Sequence, residues 1–141
     1  MDKNLKRSII LEHYQNPHNK GLVDDDSYIK INMNTESCID NINIQLKMDR
    51  NFIKDIRFDG EACAISTSST SIMINSLIGK TKEEALEIYD NFVNMIDEKA
   101  YNKDILEEAN AYEDIYLQSN RKKCALLPWK GLYKLLKEEK K

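Results

Sequence analysis

The stretch IKINMNTESCIDNINIQLKMDRNFIKDIRFDG, residues 29–60, decides the architecture, because apolar and polar residues alternate along it in three successive runs. Ile29, Ile31 and Met33 form the first run. Ile42, Ile44, Leu46 and Met48 repeat the pattern more clearly, and a turn at Asp49-Arg50-Asn51 leads into a third run that ends at Ile56 and Phe58. Alternation with a period of two puts every second side chain on the same face of a sheet. The three runs therefore read as an antiparallel meander with one apolar and one wet face. Cys38 falls in the connection between the first two runs, with Asp40 two residues later, and Cys63 follows the third run just beyond Gly60.

Outside the meander the period becomes helical. Leu5, Ile9, Ile10 and Tyr14 share one helical face, and Asn16-Pro17 ends that helix because proline disfavours helical geometry in the residue before it. After Cys63, the segment AISTSSTSIMINSLIG (64–79) reads as a helix from Ile65, Ile72 and Leu77, with Gly79 as its stop. Its serines and threonines read as small residues that permit close packing, since the glycines of a phosphate cradle are missing. Thr81 and Glu84 have the spacing of a capping box ahead of a stripe formed by Ala85, Ile88, Tyr89, Phe92 and Ile96. An acidic stretch from Asp104 to Tyr116 suggests a short helix. Leu132, Leu135 and Leu136 define a C-terminal helix, and Pro128 places its start just after Cys124. The sum is a single α+β domain over residues 1–141: a three-stranded antiparallel sheet packed against helices, including an N-terminal and a C-terminal one.

Composition narrows the function. With 141 residues and 41% hydrophobic content the chain supports one core. A net charge of −3, with acids and bases interspersed, gives no electrostatic reason to expect nucleic acid or an anionic membrane as partner. No apolar run approaches the roughly 20 residues of a bilayer span, and MDKNLKRSII lacks the apolar core of a signal peptide, so a cytoplasmic location is expected. Three widely spaced cysteines argue against a disulfide framework and leave metal binding, catalysis or plain burial.

On these boundaries Cys63 and Cys124 each sit at or just before a helix N-terminus, where the dipole and unpaired amides favour a thiolate. Arg121, Lys122 and Lys123 act in the same direction on Cys124. Cys38, Asp40, Cys63 and Cys124 together offer three sulfurs and one oxygen, a set that suits tetrahedral zinc. Their spacing alone favours burial, since it has none of the local pattern of a zinc ribbon. His13 and His18, near a helix end, read as solvated or capping groups rather than ligands.

Four ordered motifs change that balance. HYQNPHNKG (13–21) resembles H-Y-x-N-P-x-N-x-G, SCID (37–40) resembles C-G-D, FDGEACAIS (58–66) resembles F-x-G-x-G-C-x-I-S, and RKKCALLPWKGL (121–132) resembles R-x-K-C-A-x-L-x-W-x-x-L. At these residues the chain resembles the IscU/SufU family, with the NifU N-terminal fold of iron–sulfur cluster assembly, over nearly its whole length. Within it the SufU branch is indicated by Lys123, where scaffold-type members carry a histidine before the third cysteine. The long step from Cys63 to Cys124 has room for that branch's insertion.

The resemblance implies a zinc-dependent sulfurtransferase. Cys38, Asp40, Cys63 and Cys124 match the family's zinc ligands, Cys38 also matches the sulfur-accepting cysteine, and Arg121 matches an arginine beside the site. The implied partners are a pyridoxal-phosphate cysteine desulfurase of SufS type, which presents a persulfide and is expected to lend a histidine that replaces Cys38, and downstream iron–sulfur assembly or thiolation proteins. Two other readings remain: a scaffold that holds a transient iron–sulfur cluster, and a metal-binding partner of the desulfurase that accepts no sulfur. The chain departs from the family pattern at Ile39 and Ala62, both in place of glycine.

Overall fold

The computed structural model describes residues 1–35 and 39–138, so Cys38 lies outside the described residues. Strands β1 (Ile29–Asn34), β2 (Asn41–Asp49) and β3 (Phe52–Glu61) form an antiparallel sheet in the order β1-β2-β3. The register sets Ile31 opposite Ile44 and Ile44 opposite Phe58, which brings the apolar positions of neighbouring strands to one face. Ile42, Ile44, Leu46, Ile56 and Phe58 are buried there. The turn expected at Asp49-Arg50-Asn51 is present, with Arg50 at a φ of 60°.

The opposite face is less wet than alternation predicts. Gln45 is only 6% exposed. Its side-chain amide accepts from the Val23 N–H at 2.9 Å and donates to the Val23 carbonyl at 2.8 Å, so the segment following the first helix covers part of that face. The same segment borders β3, where Gly21 N–H donates to the Phe58 carbonyl and Phe58 N–H to the Asn19 carbonyl.

Among the described residues there are four α-helices, α1 (Lys3–Gln15), α2 (Ala64–Leu77), α3 (Lys82–Ile96) and α4 (Ser119–Glu138); α2 and α4 pack on the sheet, α1 packs on α2 and α3 on α4. Asp2 caps α1 through Leu5 N–H at 2.8 Å, and the helix ends at Asn16 ahead of Pro17. Ile9 and Ile10 pack on the core, but Leu5 and Tyr14 are exposed, and the buried residue of α1 is His13. His13 is thus an interior group and not a solvated one. Its Nδ1 is 2.7 Å from Ser71 Oγ and its Nε2 2.8 Å from Glu108 Oε1. The capping box of α3 forms as expected, with Thr81 Oγ1 accepting from Glu84 N–H and Glu84 Oε1 from Thr81 N–H.

The acidic stretch folds as three short 3-10 helices, Lys103–Ile105, Glu107–Tyr112 and Ile115–Leu117, rather than one α-helix. They bury Leu106, Ala109 and Tyr112. Besides the His13–Glu108 contact, Lys6 joins them to α1 through Glu113 at 2.9 Å and Asp114 at 2.5 Å.

The largest departure concerns α4, which begins at Ser119 and carries Pro128 in its interior. Cys124 therefore lies in the second turn and not at the N-terminus, so the helix-dipole argument does not extend to it. A proline at 128 removes the N–H that would donate to the carbonyl of residue 124. Ser66 on α2 partly replaces it, sharing its one hydroxyl proton between the Asp40 carboxylate and the Cys124 carbonyl oxygen 3.1 Å away, and Ser69 Oγ donates to the next carbonyl, Ala125, at 2.7 Å. With these side-chain donors available the helix passes through the proline.

At Gly131, α4 lies against the sheet: an added Cβ would come within 2.7 Å of Met33 Cγ and 3.0 Å of Ile44 Cδ1. Trp129 stacks on Phe92 at 4.3 Å between ring centroids, and its Nε1 donates to Ser69 Oγ at 3.1 Å. Among the described residues no helix is long and apolar enough to cross a membrane.

Two stability predictions follow from this packing. Trp129→Ala empties the space against Phe92 and should cost about 3–5 kcal/mol, read as a lower urea midpoint at unchanged slope. Gly60 sits at a φ of 130°, and an added Cβ would lie 2.1 Å from the Asn41 carbonyl oxygen. Gly60→Ala should therefore cost about 1–3 kcal/mol in backbone strain alone, with the steric overlap added, measured by the same unfolding curve.

Candidate metal centre

Three of the four residues singled out by sequence converge on one point. Asp40 immediately precedes β2, Cys63 immediately precedes α2, and Cys124 lies on α4. One ligand atom from each can be chosen so that all lie within 4.8 Å of one another. The β2–β3 pairing makes the first encounter, since Asn41 pairs with Glu61 and so brings the residue before β2 close to the residues after β3. Gly60 permits that close approach by having no side chain.

Asp40 is 1% exposed, and both its oxygens have partners. Oδ1 accepts from the Cys63 backbone N–H at 2.7 Å, while Oδ2 accepts from the Ser66 hydroxyl and lies 3.7 Å from Cys63 Sγ. Cys63 is the N-cap of α2, and its sulfur accepts from Ser66 N–H at 3.5 Å. Its position at a helix N-terminus is thus as the sequence suggested. Cys124 is 4% exposed, with Sγ 3.7 Å from the Asn120 carbonyl oxygen.

The donor set suits zinc. With bonds of about 2.3 Å to sulfur and about 2.0 Å to oxygen, tetrahedral donors lie about 3.5–3.8 Å apart. The 3.7 Å between Cys63 Sγ and Asp40 Oδ2 falls in that interval. Two soft sulfurs and one carboxylate fit zinc or iron better than magnesium or calcium, which prefer all-oxygen shells. Among the described residues no histidine belongs to the donor group. The position directly before Cys124 is an exposed lysine, Lys123.

Arg121 is exposed and lies one turn before Cys124 on α4, its backbone N–H donating to the Gln118 carbonyl at 2.8 Å. Beside the centre, an open cleft is lined by Tyr14, Pro17, Ile39, Gly60, Ala62 and Thr67. Ile39 is 74% exposed there. On the inner side, burial holds the Tyr112 phenol protonated far above its ordinary range, so it meets Ser68 Oγ, 2.6 Å away, as a neutral hydroxyl.

Ser66, the last residue of the FDGEACAIS motif, is given no role by the sequence. The clue available was Pro128: a proline inside a helix asks for a replacement donor at the residue four positions earlier, which here is Cys124. That clue was read as marking a helix start.

Comparison with known proteins places the chain in a family. Residues 5–125 match the NifU-like N terminal domain. The zinc-dependent sulfurtransferase SufU of Bacillus subtilis is 39% identical over 137 residues, covering 96% of this chain and 92% of that protein. The iron-sulfur cluster assembly scaffold protein IscU of Streptococcus pyogenes is 35% identical over 135 residues, covering 94% and 83%. Among solved structures, a putative iron-sulfur cluster assembly scaffold protein for the SUF system from Fervidobacterium islandicum superposes with a TM-score of 0.80 at 35% identity, covering 91% of this chain and 93% of that one. With the match running from the first helix through the third cysteine, this chain belongs to the NifU-like N-terminal domain family, the family that includes IscU and SufU.

Proposed function

We propose that this protein is a cytoplasmic, zinc-dependent sulfurtransferase of iron–sulfur cluster assembly, which accepts persulfide sulfur from a pyridoxal-phosphate cysteine desulfurase. The observation that carries this reading is the convergence of the Asp40 carboxylate with the Cys63 and Cys124 thiols in a donor group that holds no histidine among the described residues. The Bacillus subtilis relative supports it by its name. Cys38, two residues from Asp40 in sequence, completes the ligand set as the fourth donor.

Zinc, when bound, keeps cysteine ligands in the thiolate form near neutral pH. The chain supplies the rest. Cys63 N–H holds Asp40 Oδ1, which leaves Oδ2 turned toward Cys63 Sγ. The Cys38 thiolate attacks the terminal sulfur of the desulfurase persulfide: a new S–S bond forms on Cys38, the old S–S bond breaks, and the desulfurase cysteine leaves as a thiolate. One sulfane sulfur moves and no net oxidation occurs. Exposed Arg121, a turn from Cys124, offers a cation to the anionic persulfide as it approaches.

A scaffold role is the second reading, favoured by the Streptococcus pyogenes relative, and the same experiment separates the two. Protein purified without added metal should carry about one zinc per chain, reduced in Asp40→Ala and Cys63→Ser. Iron with visible absorbance would favour the scaffold. In a desulfurase assay Cys38→Ser should abolish persulfide formation on this chain, whereas retained desulfurase binding with no persulfide on wild-type Cys38 would identify a non-catalytic partner. Arg121→Ala should slow transfer about tenfold, the scale of one charge-assisted hydrogen bond, while leaving zinc content unchanged.

A further inference from the structure

Ser66 is fully buried near the start of α2, and its atoms reach all three donor-bearing segments. Its backbone N–H donates to Cys63 Sγ at 3.5 Å. Its hydroxyl donates to Asp40 Oδ2, the oxygen that faces the Cys63 sulfur, and lies 3.1 Å from the Cys124 carbonyl oxygen. That carbonyl is the one for which Pro128 has no N–H to give.

We infer that Ser66 is a positioning residue of the metal centre, one whose single hydroxyl both orients the Asp40 carboxylate and ties the segment of α4 carrying Cys124 to α2. The inference rests on the reading of Asp40, Cys63 and Cys124 as metal ligands. Groups that hydrogen-bond a ligating carboxylate fix its direction and so set the affinity of the centre. A buried serine at this place is also hard to account for by packing alone, since its hydroxyl needs partners and an alanine would not. The hydroxyl has one proton, directed to Asp40 Oδ2 and shared with the Cys124 carbonyl oxygen 3.1 Å away, and Pro128 makes the second contact separable: an alanine at 128 restores the backbone donor to that carbonyl.

The two functions of the hydroxyl can therefore be split. Wild type, Ser66→Ala, Pro128→Ala and the double variant are compared by zinc affinity, using competition with a chelator of known affinity, and by thermal unfolding of the zinc-free chains. Ser66→Ala should weaken zinc binding about 10–100-fold and lower the zinc-free midpoint. Adding Pro128→Ala should recover the midpoint without recovering the zinc affinity, and the double variant keeps the test open if Ser66→Ala alone folds poorly. Wild-type affinity in Ser66→Ala, or recovery of both losses by Pro128→Ala, would overturn the inference while leaving the metal centre intact. A wild-type chain that binds no zinc would instead overturn the proposed function and this inference together.

Discussion

A helix buried on most of its surface cannot leave hydroxyls without partners, and α2 carries buried hydroxyls at every position from Ser66 to Ser71. That requirement organises the domain. Ser66 meets Asp40 and α4, Ser68 meets Tyr112 in the 3-10 region, Ser69 meets Ala125 and Trp129, and Ser71 meets His13 and the His18 backbone. Thr70 turns back on its own helix, to the Ser66 carbonyl, Ser68 also donates to the Ile65 carbonyl, and Thr67 reaches the Ala62 carbonyl just before the helix. Each outward hydroxyl fixes a different segment, so the helix acts as a common post. Because hydrogen bonds are directional where apolar contacts are not, the post sets orientations as well as distances.

The metal centre depends on that post. Its three described donors come from the start of a strand, the cap of a helix and the second turn of another helix, far apart in sequence. No local element could assemble them. The sheet register brings Asp40 to Cys63, and α2 brings Cys124 to both. The chemistry is accordingly a property of the folded domain rather than of any short motif, unlike a zinc ribbon, whose ligands sit in paired turns.

This division explains what could be read in the sequence. The meander was legible because strand alternation records burial directly, and α3 because Thr81 and Glu84 announce its cap within four residues. Asp40, Cys63 and Cys124 were legible as candidate donors, and the fold brings these three together. What escaped reading depends on distant partners. Gln45 is buried by a coil segment that has no periodicity, and His13 is interior because Ser71 and Glu108 satisfy its ring from elsewhere in the chain. The start of α4 was misplaced for the same reason: intrinsic propensity says that proline ends a helix, and side chains from α2 offset that tendency here.

Gly131 places a lever on this arrangement. It lies seven residues beyond Cys124 on the same helix, about 10 Å along the axis, and it is where α4 rests directly on Met33 and Ile44. A rigid rod resting on a sheet converts a change at its fulcrum into movement at its far end. The thiol's position is therefore adjustable from within the hydrophobic core: drift in the volumes of residues 33, 44 and 131 would shift Cys124 relative to Asp40 and Cys63 without altering any of these three candidate ligands.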